Sequence, residues 1–67
     1  MKLIDREFNA YQNKYIHTWL TNDETNITAD FGSNAAIGSM IIVISTKDIF
    51  IKNTEGKWQK FGAAEVI

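Results

Sequence analysis

The run Gly38-Ser39-Met40-Ile41-Ile42-Val43-Ile44 constrains this chain more than any other stretch of it. Successive side chains of an extended strand point to opposite faces, so Met40, Ile42 and Ile44 share one face while Ile41 and Val43 share the other. Both faces are apolar, and a strand of that kind has to be covered on both sides. A chain of 67 residues has little to cover it with. Domains of this size bury only about 60% of the surface their unfolded chains expose. Disulfides, a metal or association with other chains usually offset that shortfall. The sequence has no cysteine, which removes disulfides and thiolate metal sites together. Zinc would have to rest on His17, the single histidine, and carboxylates, whereas structural zinc takes four Cys or His ligands. Self-association, or docking on a larger assembly, is the route left.

Downstream of this run, Ser45 to Asp48 read as a polar turn and Ile49 to Lys52 as the return strand. Ile49 and Ile51 are expected inward, with Phe50 and Lys52 on the opposite face. Asn53-Thr54-Glu55-Gly56 is a second turn, with Gly56 placed to take the left-handed conformation. Trp58 to Phe61 form the last strand, Trp58 and Lys60 on one face and Gln59 and Phe61 on the other. The expectation over 38–62 is an antiparallel three-stranded β-meander.

The N-terminal segment, 1–37, carries two competing signals. Ile4, Phe8, Tyr11, Tyr15 and Trp19 recur at the spacing of one helix face. Lys14 to Leu20, KYIHTWL, is instead rich in the residue types that suit a pleated strand. Periodicity points to a helix and composition to a strand; the strand places Ala10 to Asn13 in a bend. Thr21 followed by Glu24 matches a capping box, and Asp23 and Glu24 suit the positive end of a helix dipole. A short helix near 22–31 is therefore expected, with Ile27 and Phe31 facing inward and Gly32 ending it. The fold class is mainly β, with a small α+β arrangement as the alternative. No proline, low-complexity tract, repeat or linker divides the chain, so 1–67 reads as a single small domain.

Composition narrows the function classes. The formal net charge is −1 and the lysines do not cluster, so the basic surface that neutralises nucleic-acid phosphates is missing. No apolar run reaches the roughly 20 residues of a membrane span, and MKLIDREF lacks the apolar core of a signal peptide. Synthesis in a cytosol without processing is the expectation, and the lack of cysteine fits a reducing compartment. His17 has no carboxylate or nucleophile that the sequence fixes beside it, as a general base would need. The pairs Asp5 with Glu7 and Asp23 with Glu24 are explained by a solvated face and helix capping. Asn26-Ile27-Thr28 matches a glycosylation sequon, which matters only in a secretory pathway. Glycines 32, 38, 56 and 62 are too scattered for a phosphate loop. No enzyme, cofactor or metal is expected. The aromatic residues Tyr11, Tyr15, Trp19, Phe50, Trp58 and Phe61 are read as core and interface rather than as a stacking platform.

Gly38-Ser39, the strand Met40 to Ile44, the turn Ser45 to Asp48, the short strand Ile49 to Lys52, Glu55-Gly56-Lys57 and the lone Trp58 together resemble a meander in small virion proteins of tailed bacteriophages. Upstream, YIHTWLTNDETNITADFG is similar to the aromatic strand and acidic segment that precede it there, so the resemblance spans Tyr15 to Phe61. It implies a head-fibre or capsid-decoration protein in the virion, made in the bacterial host cytoplasm. Homotrimers and contact with other virion proteins such as the major capsid protein are implied with it. The head-fibre form of the resemblance implies a long fibre extension, from which these 67 residues depart. The residues expected at the buried interface are Trp19, Ile41, Val43, Phe50, Trp58 and Phe61. Two other functions are compatible with the residues: a nucleic-acid or carbohydrate binding module using Trp58 with Lys57 and Lys60, or an inhibitor of a host protein acting by strand addition at the meander edge.

Overall fold

In the computed structural model, which describes residues 1–23 and 26–67, the apolar run becomes strand β3 (Met40–Val43) near the middle of a sheet. Around it lie β1 (Lys2–Asn9), β2 (Lys14–Thr21), β4 (Asp48–Lys52) and β5 (Trp58–Lys60). The order across the sheet is β1-β2-β3-β4-β5. Neighbours are antiparallel except β2 and β3, which run parallel from Thr18↔Met40 to Thr21↔Val43. The architecture is mainly β, as expected. Two finer expectations need correction. The three-stranded meander does not stand alone but forms one side of a five-stranded mixed sheet. The helix near 22–31 is not formed among the described residues, where 26–31 are irregular and turn-like. Thr21, the expected helix cap, is instead the last residue of β2 and pairs with Val43; Glu24, its partner in the capping box, lies outside the described residues.

The same pairing explains why strand overrode helix in the N-terminal segment. Parallel neighbours need a long crossover between them, and residues 22–39 supply it. β1 and β2 close into a hairpin over Ala10 to Asn13, where Asn13 adopts φ 54 and the Asn9 side chain accepts a hydrogen bond from the Gln12 amide at 3.0 Å. Asn tolerates the left-handed region better than most side chains, so the bend is encoded locally. Tyr11, a member of the helical stripe, sits fully exposed in that turn.

Directly paired residues lie on the same face, so the register fixes both faces of the sheet. Trp19, Ile41 and Phe50 line up on one face, with Val43, Lys52 and Trp58 beside them. Ile27 from the crossover joins Ile41, Val43 and Trp58 in the core, with Trp19, Phe31 and Phe50 packed against them. Trp58 is fully buried, and its indole N–H donates to the Phe31 carbonyl at 2.6 Å. At about 25 cal/mol per Å², burying roughly 200 Å² of indole contributes at most about 5 kcal/mol, which makes Trp58 the largest single anchor. Gly32 lets the crossover descend onto the two indoles. Its φ is +60°, and a Cβ there would lie 3.1 Å from the Trp19 ring.

Candidate interaction surface

Lys52 fixes which face the crossover covers. Its side chain points into the covered face, which inverts the expectation for β4 of Ile49 and Ile51 inward and Phe50 and Lys52 opposite. The pairing Ile41↔Phe50 turns Phe50 and Lys52 toward the core and leaves Ile49 and Ile51 on the other face. The buried ammonium donates to the carbonyls of Gly32 at 3.0 Å, Ser33 at 3.3 Å and Ala35 at 3.0 Å. Three acceptors use all three ammonium donors. Burial, and secondarily the neighbouring charge of Lys14, pulls the Lys52 pKa below its usual 10.5. A second fastening is made by Gln12 from the β1–β2 turn. Its side-chain oxygen accepts from the Ile37 amide at 2.7 Å and its nitrogen donates to the Ile37 carbonyl at 3.1 Å, as a strand would. Both contacts hold the crossover down on one side of the sheet.

The opposite face is left open. Ile16, Thr18 and Leu20 of β2, Met40 and Ile42 of β3, Ile49 and Ile51 of β4 and Gln59 of β5 form it. Ile44 continues the β3 row, held by its amide to the Thr21 carbonyl at 3.0 Å. Phe61 and Val66 extend the face at the β5 side, Val66 through its bridge to Gln59. The Gly62-Ala63 turn reaches its β5 border, where the Gln59 side chain donates to the Ala63 carbonyl at 3.4 Å; the aliphatic residues between are half-buried, and no charged residue stands among them from Ile16 to Leu20, Met40 to Ile44 or Ile49 to Ile51. Charges begin only on the hairpin, with Lys2, Asp5, Glu7 and Lys14. A sheet with one covered face ordinarily presents polar side chains on the other; here the second face is largely aliphatic.

The two sheet edges differ. The β5 edge is closed by residues 65–67: the Lys60 amide donates to the Glu65 carbonyl at 3.0 Å and the Ile67 amide to the Trp58 carbonyl at 2.8 Å. Lys60 adds ion pairs to Glu65 at 3.3 Å and Asp48 at 3.7 Å. Glu65 first, then Asp48, raises the Lys60 pKa above 10.5. At the other edge no further strand lies beside β1 among the described residues.

Of the six residues expected at an interface, the structure places five on the covered face. Ile41, Val43 and Trp58 are buried in the chain's own core, and Trp19 and Phe50 pack against it. Phe61 alone is strongly exposed, at 68%. The pattern missed Ile49 and Ile51 because assigning them inward consumed the aliphatic row that the register leaves open. The other sequence candidates are dispersed. Asp5 and Glu7 lie on β1, opposite Thr18 and Ile16. His17 stacks on Trp19 at 4.8 Å and 8°, its amide donating to the Ser39 hydroxyl at 3.0 Å, and its Nδ1 is buried without a hydrogen-bond partner. The hairpin carries Phe8 edge-on to Tyr15 at 5.2 Å, with the Arg6 guanidinium 4.4 Å above the Tyr15 ring. No group of three His, Asp or Glu among the described residues could hold a metal ion. A depression of about 400 Å³ at the hairpin end is lined by Lys14, Lys52 and Glu55 among others. Lys52 is already committed there to carbonyls, which leaves no convergent set of polar groups for a small ligand.

Comparison with protein-family models, curated proteins and solved structures finds no match for this chain. Its class rests on the sheet itself: a small mainly β domain, covered on one face by its own crossover and open and aliphatic on the other.

Proposed function

We propose that this chain is a structural module acting by protein–protein contact, docking through the open aliphatic face of its sheet. The observation that carries the reading is that face. Contiguous exposed apolar surface beyond a few hundred Å² marks a contact site in a soluble protein. The similarity of Gly38 to Trp58, and of the aromatic strand upstream, to small phage virion proteins supplies the setting: a head-decoration or head-fibre type component. Such a role needs shape and apolar complementarity, and many weak contacts repeated over a symmetric shell add up.

The two other functions lose their main support. Trp58, around which a nucleic-acid or carbohydrate platform would be built, is fully buried and donates its N–H inward. The outer edge of the meander, where strand addition to a host protein would occur, is occupied by residues 65–67. Quantitative mass spectrometry of purified phage particles tests the proposal. A fixed copy number per particle, retained through high-salt washing, is the expected result. Abundance in infected cells with none in particles would overturn the virion role.

A further inference from the structure

We infer that the open face is covered by the same face of a second copy, the two sheets stacking about a two-fold axis. This rests on the reading of the face as a docking surface and names its occupant. An occupant has to bring apolar atoms to the whole face without burying an unpaired charge, since that would cost more than the contact returns. The chain's own face meets that requirement: Ile16, Leu20, Met40, Ile42, Ile49 and Ile51 carry no charge, and the charged side chains sit at the hairpin rim. An isologous pair presents this patch to itself, so complementarity of character is automatic.

The area is sufficient for one partner copy. Strands about 4.8 Å apart, with residues 16–20 of β2 and all of β3, β4 and β5 at ~3.3 Å per residue, project to about 270 Å². Ile44, Phe61 and Val66 border that patch at 53%, 68% and 46% exposure. They bring the accessible area to roughly 600 Å² per copy and roughly 1,200 Å² per pair, above the ~1,000 Å² at which an interface becomes specific. The surface balance agrees. A folded monomer of 7.6 kDa exposes about 4,300 Å², and this chain exposes 4619 Å². Two sheets packed at ~10 Å interleave their aliphatic rows as in a β-sandwich. The centre of the stack falls on the β3–β4 pair, at Ile42 and Ile49.

Sedimentation equilibrium of the full chain, with the variants Ile49→Asp and Ile49→Thr, tests this. The wild type is expected at twice 7.6 kDa in the micromolar range. I49D places one carboxylate per copy in the stack and weakens association on the order of 100-fold or more. I49T keeps a β-branched side chain, so its strand spectrum stays intact while its dissociation constant rises by a smaller factor. A dimer indifferent to both variants would overturn the assignment of the face, and a mass of three copies would overturn the two-fold stack. If the wild type is a monomer at all concentrations, the second copy is ruled out, and an anilinonaphthalene sulfonate probe then separates the two ideas. Dye bound by the wild type and lost in I49D leaves the docking face standing for another partner; no dye bound overturns both.

Discussion

Replacing Lys52 by Met isolates the contact that decides which face of the sheet is covered. Met retains most of the apolar stem and removes the ammonium, so the carbonyls of Gly32, Ser33 and Ala35 lose their shared donor. Each charge-assisted bond contributes about 1.5–3 kcal/mol, against a desolvation cost of several kcal/mol for the buried cation. The two nearly cancel, in keeping with the lowered Lys52 pKa. What remains is the orphaned Ala35 carbonyl, whose bond is the buried one of the three; water reaches Gly32 and Ser33 more easily. Leaving that acceptor unsatisfied costs about 1–3 kcal/mol, so the substitution is expected to remove about that much. A chain of this length is stable by about 3–10 kcal/mol in total.

Urea denaturation followed by tryptophan fluorescence, at fixed protein concentration, reads the loss through Trp19 and Trp58 beneath the crossover. With m near 1 kcal/mol/M for so small a domain, the midpoint falls by about 1–3 M. A pH series adds a second signature. Because the folded pKa of Lys52 lies below 10.5, through burial first and Lys14 second, the unfolded chain binds more protons between the folded value and 10.5. Wild-type stability therefore gains an increment as pH rises through that window, and K52M lacks it. A K52M protein within about 0.5 kcal/mol of wild type, with the same pH slope, would refute the role given to the ammonium.

Gly32→Ala forces a Cβ into left-handed backbone and to 3.1 Å from the Trp19 ring; a loss of about 2–3 kcal/mol follows, read as a melting point lowered by roughly 10–20 °C. Lys60 has the opposite linkage to Lys52. Its pKa is raised by Glu65 and then Asp48, so its contribution is fully present below pH 10.5 and is lost as pH climbs through the raised value. Lys60→Gln should flatten that alkaline loss in a thermal-melt series from pH 9 to 12, and an unchanged profile would show that the C-terminal ion pairs do not fasten residues 65–67.

Much of the local structure is legible in the sequence because it is set by neighbours in the chain. The alternation Met40-Ile41-Ile42-Val43 specifies a strand with two apolar faces. Asn53 and Gly56 specify the β4–β5 turn: the Asn53 side chain accepts from the Glu55 and Lys57 amides, both at 3.0 Å, and Gly56 takes φ 75. The strand character of Lys14 to Leu20 is present in its composition even though Ile4, Phe8, Tyr11 and Tyr15 mimic a helical stripe. Thr21 and Asp23 have the chemistry of a helix start, but that is a local preference worth about 1 kcal/mol, and continuing β2 to Thr21 beside Val43 outweighs it.

What the sequence by itself determined is that an aliphatic strand in a cysteine-free chain this small needs more covering than the chain's own residues readily supply. Tertiary structure alone decided which residues do the covering and which remain bare. Alternation states that Ile49 and Ile51 oppose Phe50 and Lys52, not which pair faces in. That choice belongs to the long-range pairing Ile41↔Phe50 and to three crossover carbonyls that make a buried lysine tolerable. Register has a period of two, so a shift of one residue would have exchanged core for surface. Five of the six residues expected at an interface share the aliphatic and aromatic character of those that form the open face, and only the fold distinguishes them from it; Phe61 alone belongs to both sets.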